Sequence, residues 1–190
     1  MPDPTLRLFI AVDLPARVRQ EVAAVCGDID KARWVKRDQL HVTLRFMGKT
    51  PVIDLPRIRH ALDAVAMPSF SLALHGVGIF PRPEEHKRPR VLWVGIDPSD
   101  PILRLKQEID RVLGPDAQMA KQVFSPHLTL ARFAEPPGDS LTRFLEINRN
   151  FRSVVWPVAS FQLYRSTLSK GGAEHHLVAS YTLAEIIRSQ

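Results

Sequence analysis

A short pattern that carries one histidine and one threonine occurs twice in this chain. The sequence His-Val-Thr-Leu at 41–44 recurs as His-Leu-Thr-Leu at 127–130, close to half a chain length later. A lone histidine or threonine in a strand is usually structural, but a second copy of the whole pattern is improbable by chance. The separation therefore predicts two related halves, each with one copy.

The alternation of side chains along a strand determines which residues of each copy act together. In a strand, His41 and Thr43 share one face about 6–7 Å apart, and the two apolar residues point to the core. His127 and Thr129 share a face in the same way. If the halves meet across a cleft, it would hold two imidazoles and two hydroxyls.

Such an array suits a phosphodiester. An imidazole titrates near neutral pH, so one copy can accept a proton while the other donates one. Threonine hydroxyls can donate hydrogen bonds to the non-bridging phosphate oxygens. The pattern is nearly symmetric, so it does not by itself assign the donor and the acceptor.

Two arginines follow the motifs and are candidates for contacts with phosphate or RNA. Arg45 lies on the face of His41 if the strand is ideal. Arg132 points away from His127 unless the strand bulges. A guanidinium on the cleft face could stabilise the negative charge of the transition state.

A metal site is the less favoured alternative for these histidines. Threonine is a poor metal ligand, and neither copy has a carboxylate or cysteine at ligand spacing. We therefore expect no metal and no cofactor. His60, His75 and His86 are expected to be solvated or packed side chains.

Composition limits the classes of partner and of compartment. The 190 residues allow one compact domain, and the net charge of +6 favours anionic partners. The loop at 82–90 is rich in proline and basic residues, which favours RNA over a mononucleotide. Cys26 is the only cysteine, so a reducing compartment, the cytoplasm, is expected. The longest apolar runs are far shorter than a membrane span, and we expect no membrane association.

The hydrophobic pattern predicts strands and helices that interleave, which is typical of an α+β or α/β fold. A first helix is expected after Pro15, where a proline suits the first turn. Strands are predicted at 6–13, 34–35, 40–46, 70–80, 91–96, 127–133, 158–164 and 175–183, and further helices at 52–66, 101–113 and 140–150.

Both motifs and several flanking segments resemble a known family. The chain resembles the two-histidine phosphoesterases, and among them the bacterial and archaeal RNA 2′,3′-cyclic phosphodiesterases, also called 2′-5′ RNA ligases. The likeness spans nearly the whole chain. It lies in the segments 8–12, 14–15, 34–35, 40–48, 88–95, 124–132 and 163–166.

The resemblance implies an α+β fold that forms a single bilobal, pseudo-symmetric domain over residues 1–190. Two antiparallel sheets, with helices outside, would face a central cleft. It implies metal-independent opening of an RNA 2′,3′-cyclic phosphate to a 2′-phosphomonoester, with reversible 2′-5′ RNA ligation as a further activity. His41 matches the proton donor to the 3′-oxygen, and His127 matches the base that activates water. Thr43 and Thr129 match residues that hold the phosphate oxygens.

Two alternatives stay open from the sequence. The chain could be a non-catalytic RNA-binding protein on a duplicated sheet, or a phosphoesterase for small cyclic nucleotides. The expected partners are RNA ends or cyclic-phosphate nucleotides, and a monomer with no obligate protein partner is expected. One departure from the family is visible, since relatives often carry a tyrosine where this chain has His175. A base or ribose contact of that tyrosine would be changed here.

Overall fold

The structure is a computed structural model that describes residues 4–27, 29–115, 124–169 and 172–185. Within these residues it contains four α-helices and nine strands. No described helix is long and apolar enough to cross a membrane. The strands are β1 (Thr5–Asp13), β2 (Ala32–Trp34), β3 (His41–Pro51), β4 (Phe70–Phe80), β5 (Val91–Asp97), β6 (His127–Phe133), β7 (Trp156–Val158), β8 (Ser160–Ser169) and β9 (Gly172–Thr182), and the helices are α1 (Ala16–Val25), α2 (Leu55–Asp63), α3 (Asp100–Leu113) and α4 (Asp139–Asn148).

The helices begin and end where the chain's prolines and glycines allow. Pro15 occupies the position directly before α1 and makes no side-chain capping bond, and a proline within the first turn of α3 needs no amide hydrogen there. Gly114 ends α3 with a φ of 79°, a conformation that favours glycine. The helix predicted at 52–66 is shorter, because a 3₁₀ turn over Val52–Asp54 precedes α2.

The strands form one antiparallel path in the order β7-β4-β5-β6-β3-β1-β8-β9, with β2 paired to β6. The two central strands β3 and β6 pair through Val42 and Leu128. The implied separation into two sheets is therefore wrong in the strand pairing, because this pair joins the halves. The α+β class is confirmed.

The sheet has a similar arrangement of strands on each side of its central pair, β3 and β6. On one side β3 is followed by β1, β8 and β9, and on the other side β6 is followed by β5, β4 and β7. The unit β1-α1-β3 thus corresponds to β5-α3-β6. However, β8 from the second half of the chain pairs with β1, and β4 from the first half pairs with β5. Each side of the sheet is therefore built from both halves of the chain.

The hydrophobic core lies on the sheet face opposite the motif histidines. Val42 and Leu128 are completely buried there. Helix α3 packs its apolar stripe of Ile102, Leu105 and Ile109 into the same core. Burial of such side chains contributes about 1.5–3 kcal/mol each. The core therefore supports a rigid central pair of strands.

Candidate active site

The motif histidines flank the residue pair that joins the two halves. Val42 and Leu128 pair across the antiparallel strands β3 and β6, and both point into the core. Side chains one residue away point to the other face. His41 and His127 therefore share one face of the sheet at its centre.

The same register brings the threonines into this group. Continued by one residue in each direction, the pairing sets Thr129 opposite His41 and Thr43 opposite His127. Opposite side chains in an ideal antiparallel pair have Cβ atoms about 4.5–5.5 Å apart, and diagonal ones about 7–8 Å apart. All four side chains are partly buried. Thus the structure brings the four motif residues to one patch of the sheet.

Each imidazole is anchored in the same way. Nδ1 of His41 lies 2.7 Å from the carbonyl oxygen of Gln39. Nδ1 of His127 lies 2.8 Å from the carbonyl oxygen of Ser125, again two residues earlier. A carbonyl only accepts hydrogen bonds, so we infer that Nδ1 carries the proton. Nε2 of each ring is left to accept a proton when the ring is neutral, or to donate one when it is charged.

Burial lowers the pKa of both histidines. The pKa of His41 falls to about 4, chiefly because desolvation disfavours the charged ring. The charges of His175 and Arg19 lower it further, whereas the carbonyl of Gln39 and the charge of Asp13 raise it. The pKa of His127 is also lowered, mainly by burial. Both rings are therefore neutral at pH 7 while the site is empty.

The ring of His41 lies within an aromatic cluster. Its centroid is 4.9 Å from that of Phe9 and 5.1 Å from that of His175, which it meets edge to face. Phe9 also stacks on Tyr164 at 5.3 Å. The hydroxyl of Tyr164 donates to the carboxylate of Asp13 at 2.8 Å. These contacts come from β1, β8 and β9.

A cleft of about 470 Å³ opens beside His41. Its polar lining is mainly carboxylates and imidazoles, with Arg19 as the one arginine among the described lining residues. Arg19 is held by the carbonyl oxygens of Leu14 and Asp38. His127 does not line this cleft. The lining residues are Asp13, Arg19, Asp38, Gln39, Leu40, His41, Tyr164, Glu174, His175, His176 and Leu177.

The surroundings of His127 are different. Its ring meets Phe80 edge to face at 5.0 Å, and Phe80 in turn lies 5.3 Å from Trp93. These residues come from β4 and β5. A Cβ on Gly78 would fall only 2.2 Å from the indole of Trp93, so the indole lies directly over that glycine. This half of the site is therefore walled by Phe80 and Trp93.

Arg45 does not lie on the cleft face, so the prediction of its position is wrong. In the pairing of β1 with β3, Ile10 faces Arg45 and Ala11 faces Thr43, which skips Leu44. This bulge turns Arg45 toward the core. Arg45 is 7% exposed and donates to Asp110 Oδ1 at 2.9 Å and to the carbonyl oxygen of Gly114 at 2.8 Å. Its contacts are with α3 and the residue that follows it.

Arg132 lies on the face of His127 because the second strand has the same bulge. The pairing of β5 with β6 skips Leu130, as the first skips Leu44. The strand thus bulges, which is the condition under which Arg132 was expected to point to the side of His127, and the side chain of Arg132 is exposed. The charge of Arg132 lowers the pKa of His127. In the backbone register of β2 with β6, Arg33 lies opposite Arg132.

Comparison with known proteins places the chain in a family. A profile of the 2′-5′ RNA ligase superfamily matches residues 14–169. The chain belongs to the 2′-5′ RNA ligase superfamily. The family predicted from the sequence is confirmed.

Two curated relatives in this superfamily have the name RNA 2′,3′-cyclic phosphodiesterase. The protein of Thermus thermophilus is 31% identical over 94% of this chain and 90% of its own length. That of Thermotoga maritima is 30% identical over 88% of this chain and 90% of its own. Among solved structures, TT0787 of Thermus thermophilus matches with a TM-score of 0.76 and 29% identity, covering 95% and 100% of the two chains. Escherichia coli LigT complexed with ATP matches with a TM-score of 0.71 and 25% identity, covering 95% and 99%.

Three further histidines that the sequence analysis considered lie on the surface. His60, His75 and His86 are exposed, so of the two expected states, solvated or packed, each is solvated. Within the described ranges, no three histidine, cysteine, aspartate or glutamate side chains are grouped so that they could hold a metal ion.

Sequence reasoning missed several contacts in this member of the superfamily. His175 reaches His41, and Tyr164 reaches Phe9, only because β8 and β9 pair beside β1. Arg33 lies opposite Arg132 in the backbone register of the short strand β2 with β6. His175 stands out in the sequence as a departure from the family, and Phe9 and Tyr164 lie in segments that resemble it. Nothing local in the other residues indicates the long-range pairing.

Proposed function

We propose that this chain opens RNA 2′,3′-cyclic phosphate ends to 2′-phosphomonoesters, with His41 and His127 as its acid and base. The observation that carries the proposal is the central pair of Nδ1-anchored imidazoles on one face of the sheet. Curated relatives that cover most of the chain carry this activity in their names. We further propose that catalysis by this pair needs no metal.

We assign the acid role to His41 and the base role to His127. The resemblance to the family supports this assignment, and so does the shape of the site. The ribose is attached to the leaving 3′-oxygen, so it needs room beside the acid. The cleft of about 470 Å³ opens beside His41 and gives this room. Water needs little room, and it would approach from the His127 side.

The reaction is then a single in-line displacement. Nε2 of His127 takes a proton from water as the water oxygen bonds to phosphorus. The bond from phosphorus to the 3′-oxygen breaks, and Nε2 of His41 gives its proton to that oxygen. The products are a 2′-phosphomonoester and a free 3′-hydroxyl. One proton has moved from His41 to His127, and exchange with solvent restores the start.

The substrate itself supplies part of the acidity. His41 is neutral in the empty cleft because burial lowers its pKa to about 4. A cyclic phosphodiester carries a negative charge, and an opposite charge within a few ångströms raises the pKa of an imidazole. Arrival of the phosphate therefore favours the protonated form of His41 that the step requires.

Thr43 and Thr129 would hold the non-bridging phosphate oxygens. The register of the central pair supports this, since each threonine lies opposite the histidine of the other motif. A phosphorus atom between the two imidazoles would lie between the two hydroxyls as well. Hydroxyl donors aimed at these oxygens stabilise the charge that develops there.

We propose RNA, rather than a mononucleotide, as the preferred substrate. Arg132 and Arg33 lie opposite each other in the register of β6 and β2, and both are exposed. The basic loop at 82–90 continues this surface, because the amide of Phe133 donates to the carbonyl of Arg90. Arginines on such a surface neutralise the phosphates of a polynucleotide. Arg45 is not part of this surface.

We also propose that residues 1–190 act as one bilobal domain, as a monomer in the cytoplasm. The strand order, which repeats from the centre outward, supports two lobes around a central cleft. With a 5′-hydroxyl in place of water, the same acid and base would join a cyclic phosphate end to a 5′-hydroxyl end in a 2′-5′ bond, and they would exchange roles in the cleavage of that bond.

The test is product analysis with a short RNA that ends in a 2′,3′-cyclic phosphate, in water enriched in ¹⁸O. The expected product is a 2′-phosphomonoester with one ¹⁸O atom on phosphorus. A 3′-phosphomonoester, or binding without turnover, would contradict the proposal. Equal kcat/KM for the oligonucleotide and a cyclic mononucleotide would instead favour the small-nucleotide alternative.

A further inference from the structure

His175 forms a triangle of three contacting rings with Phe9 and the proposed acid, His41. Its centroid lies 5.1 Å from that of His41 and 4.8 Å from that of Phe9, and it meets both rings edge to face. Phe9 and His41 are themselves 4.9 Å apart. Each ring of the triangle thus contacts the other two.

These contacts leave His41 little freedom to rotate. The carbonyl oxygen of Gln39 holds Nδ1, Phe9 covers the ring at an interplanar angle of 33°, and His175 lies against it at 79°. A side chain enclosed on several sides loses alternative rotamers. The remaining nitrogen, Nε2, is the one that the proposed reaction uses.

We propose that His175 is a positioning residue, whose ring keeps Nε2 of His41 directed at the leaving oxygen. This inference rests on the proposed acid role of His41. His175 itself needs no contact with the reacting atoms. Misplacement of a reacting group by about 1 Å can cost about a hundredfold in rate, so loss of one wall of the triangle should reduce kcat.

The other motif has no equivalent of His175 among the described residues. His127 contacts Phe80, and Phe80 contacts Trp93, but no third ring closes on His127 in the part of the chain that the structure describes. The third ring is therefore specific to the acid side of the site.

His175 is ionisable, which distinguishes it from a purely apolar wall. Its positive form lowers the pKa of His41, as does Arg19 from α1, whereas Asp13 of β1 raises it. The pKa of His175 is itself lowered, by burial and by its neighbour His176, and Asp38 opposes this.

Two other ionisable groups face this part of the site. Tyr164 of β8 donates its proton to Asp13, and Glu174 lines the same cleft. Neither contributes to the shift of His41 directly. Replacement of His175 by an aromatic residue that carries no charge should therefore raise the pKa of His41.

The experiment compares His175→Ala, His175→Phe and a control, His75→Phe. His75 is an exposed histidine on β4, so its replacement tests the loss of a strand histidine away from the triangle. Steady-state kinetics use an RNA with a 2′,3′-cyclic phosphate end. The titration of His41 is followed by NMR of its ring in the unliganded protein, which needs no activity.

We expect His175→Ala to lower kcat about tenfold or more with KM nearly unchanged, because orientation rather than binding is lost. His175→Phe should recover most of kcat, and His41 should titrate at a higher pH than in the wild type. His75→Phe should change neither quantity.

Three results would overturn the inference. An unchanged kcat in His175→Ala would show that His41 needs no third wall. A rise in KM alone would make His175 a substrate contact instead. An unchanged titration of His41 in His175→Phe would show that the two rings are not coupled. If the wild type lacks turnover, the proposed function fails, but the NMR titration still tests the contact.

Discussion

The two copies of the motif have the same backbone and different neighbours. In both, Nδ1 of the histidine bonds to the carbonyl oxygen two residues earlier, and the strand bulges at the leucine three residues later. His41 contacts the rings of Phe9 and His175 and lies beside a cleft with several carboxylates. His127 meets two aromatic residues and has an arginine near it.

This contrast separates what duplication provides from what the rest of the chain adds. The repeated strand sets both imidazoles at the centre of the sheet in equivalent positions. The neighbours come from other strands, namely β1, β8 and β9 for His41 and β4 and β5 for His127. An acid and a base can therefore arise from identical motifs, because their surroundings differ.

Removal of either imidazole should have the largest effect. We expect His41→Ala and His127→Ala each to lower kcat by about 10²–10⁴, since each removes a general acid or base. The double variant should lose less than the product of the two effects, because the residues act as a unit. His60→Ala, an exposed histidine of α2, is the control, and circular dichroism checks folding. Full activity in either single variant would refute the mechanism.

The same variants can separate the two roles. A substrate with sulfur in place of the leaving 3′-oxygen needs little protonation, because a thiolate is a better leaving group. With it, His41→Ala should regain much of its lost rate relative to the wild type, and His127→Ala should not. The opposite rescue would exchange the acid and the base.

Loss of the threonine hydroxyls should have the next largest effect. Thr43→Val and Thr129→Val each remove one hydrogen bond to a charged phosphate, worth about 1.5–3 kcal/mol, which corresponds to roughly 10–150-fold in kcat/KM. Valine keeps the branched shape that suits a strand. Thr→Ser at the same positions retains the hydroxyl and is the control. If valine and serine variants have equal kcat/KM, the hydroxyls do not hold the phosphate.

Much of this patch could be predicted from the sequence, because the pattern His-x-Thr needs only the alternation of a strand. The core position of Val42 and Leu128 follows from the same rule. The position of Arg45 could not be predicted, because a bulge at Leu44 breaks the alternation one residue earlier. The same irregularity at Leu130 brings Arg132 to the sheet face of His127, so the alternation rule fails at both copies of the motif.

Long-range pairing accounts for the other differences. His175 is far from His41 in sequence, and only the pairing of β1 with β8 and of β8 with β9 brings them together. The exchange of β4 and β8 between the two sides depends on contacts that no local periodicity contains. The single pair Val42–Leu128, which joins the sheet, is equally invisible in the sequence.

The pH dependence of kcat/KM should reflect the lowered pKa of both buried histidines. The unperturbed pKa of histidine is about 6.5, and burial lowers it for His41, to about 4, and for His127. The active form carries one proton on the pair, so kcat/KM, which reports the free enzyme, should peak below pH 6.5. The bound phosphate favours protonation, so kcat should peak at a higher pH. A kcat/KM optimum above pH 7 would contradict the lowered values.

The smallest effect is expected from the exposed arginines on the His127 side of the site. Arg132→Gln and Arg33→Gln should each weaken turnover of RNA a few-fold and reduce the salt dependence of binding by about one unit of slope. Hydrolysis of a cyclic mononucleotide should be nearly unaffected, because it does not reach this surface. Arg57→Gln, on the exposed face of α2, is the matched control for loss of one positive charge.

This last comparison separates the two sides of the site again. If Arg132 acted mainly on His127 rather than on RNA, its loss would raise the pKa of His127 and shift the pH optimum for both substrates alike. If it binds RNA, only the oligonucleotide loses kcat/KM, and the difference vanishes at high salt, where surface charges are screened. An equal loss of kcat/KM for both substrates at every salt concentration would show that Arg132 does not bind RNA.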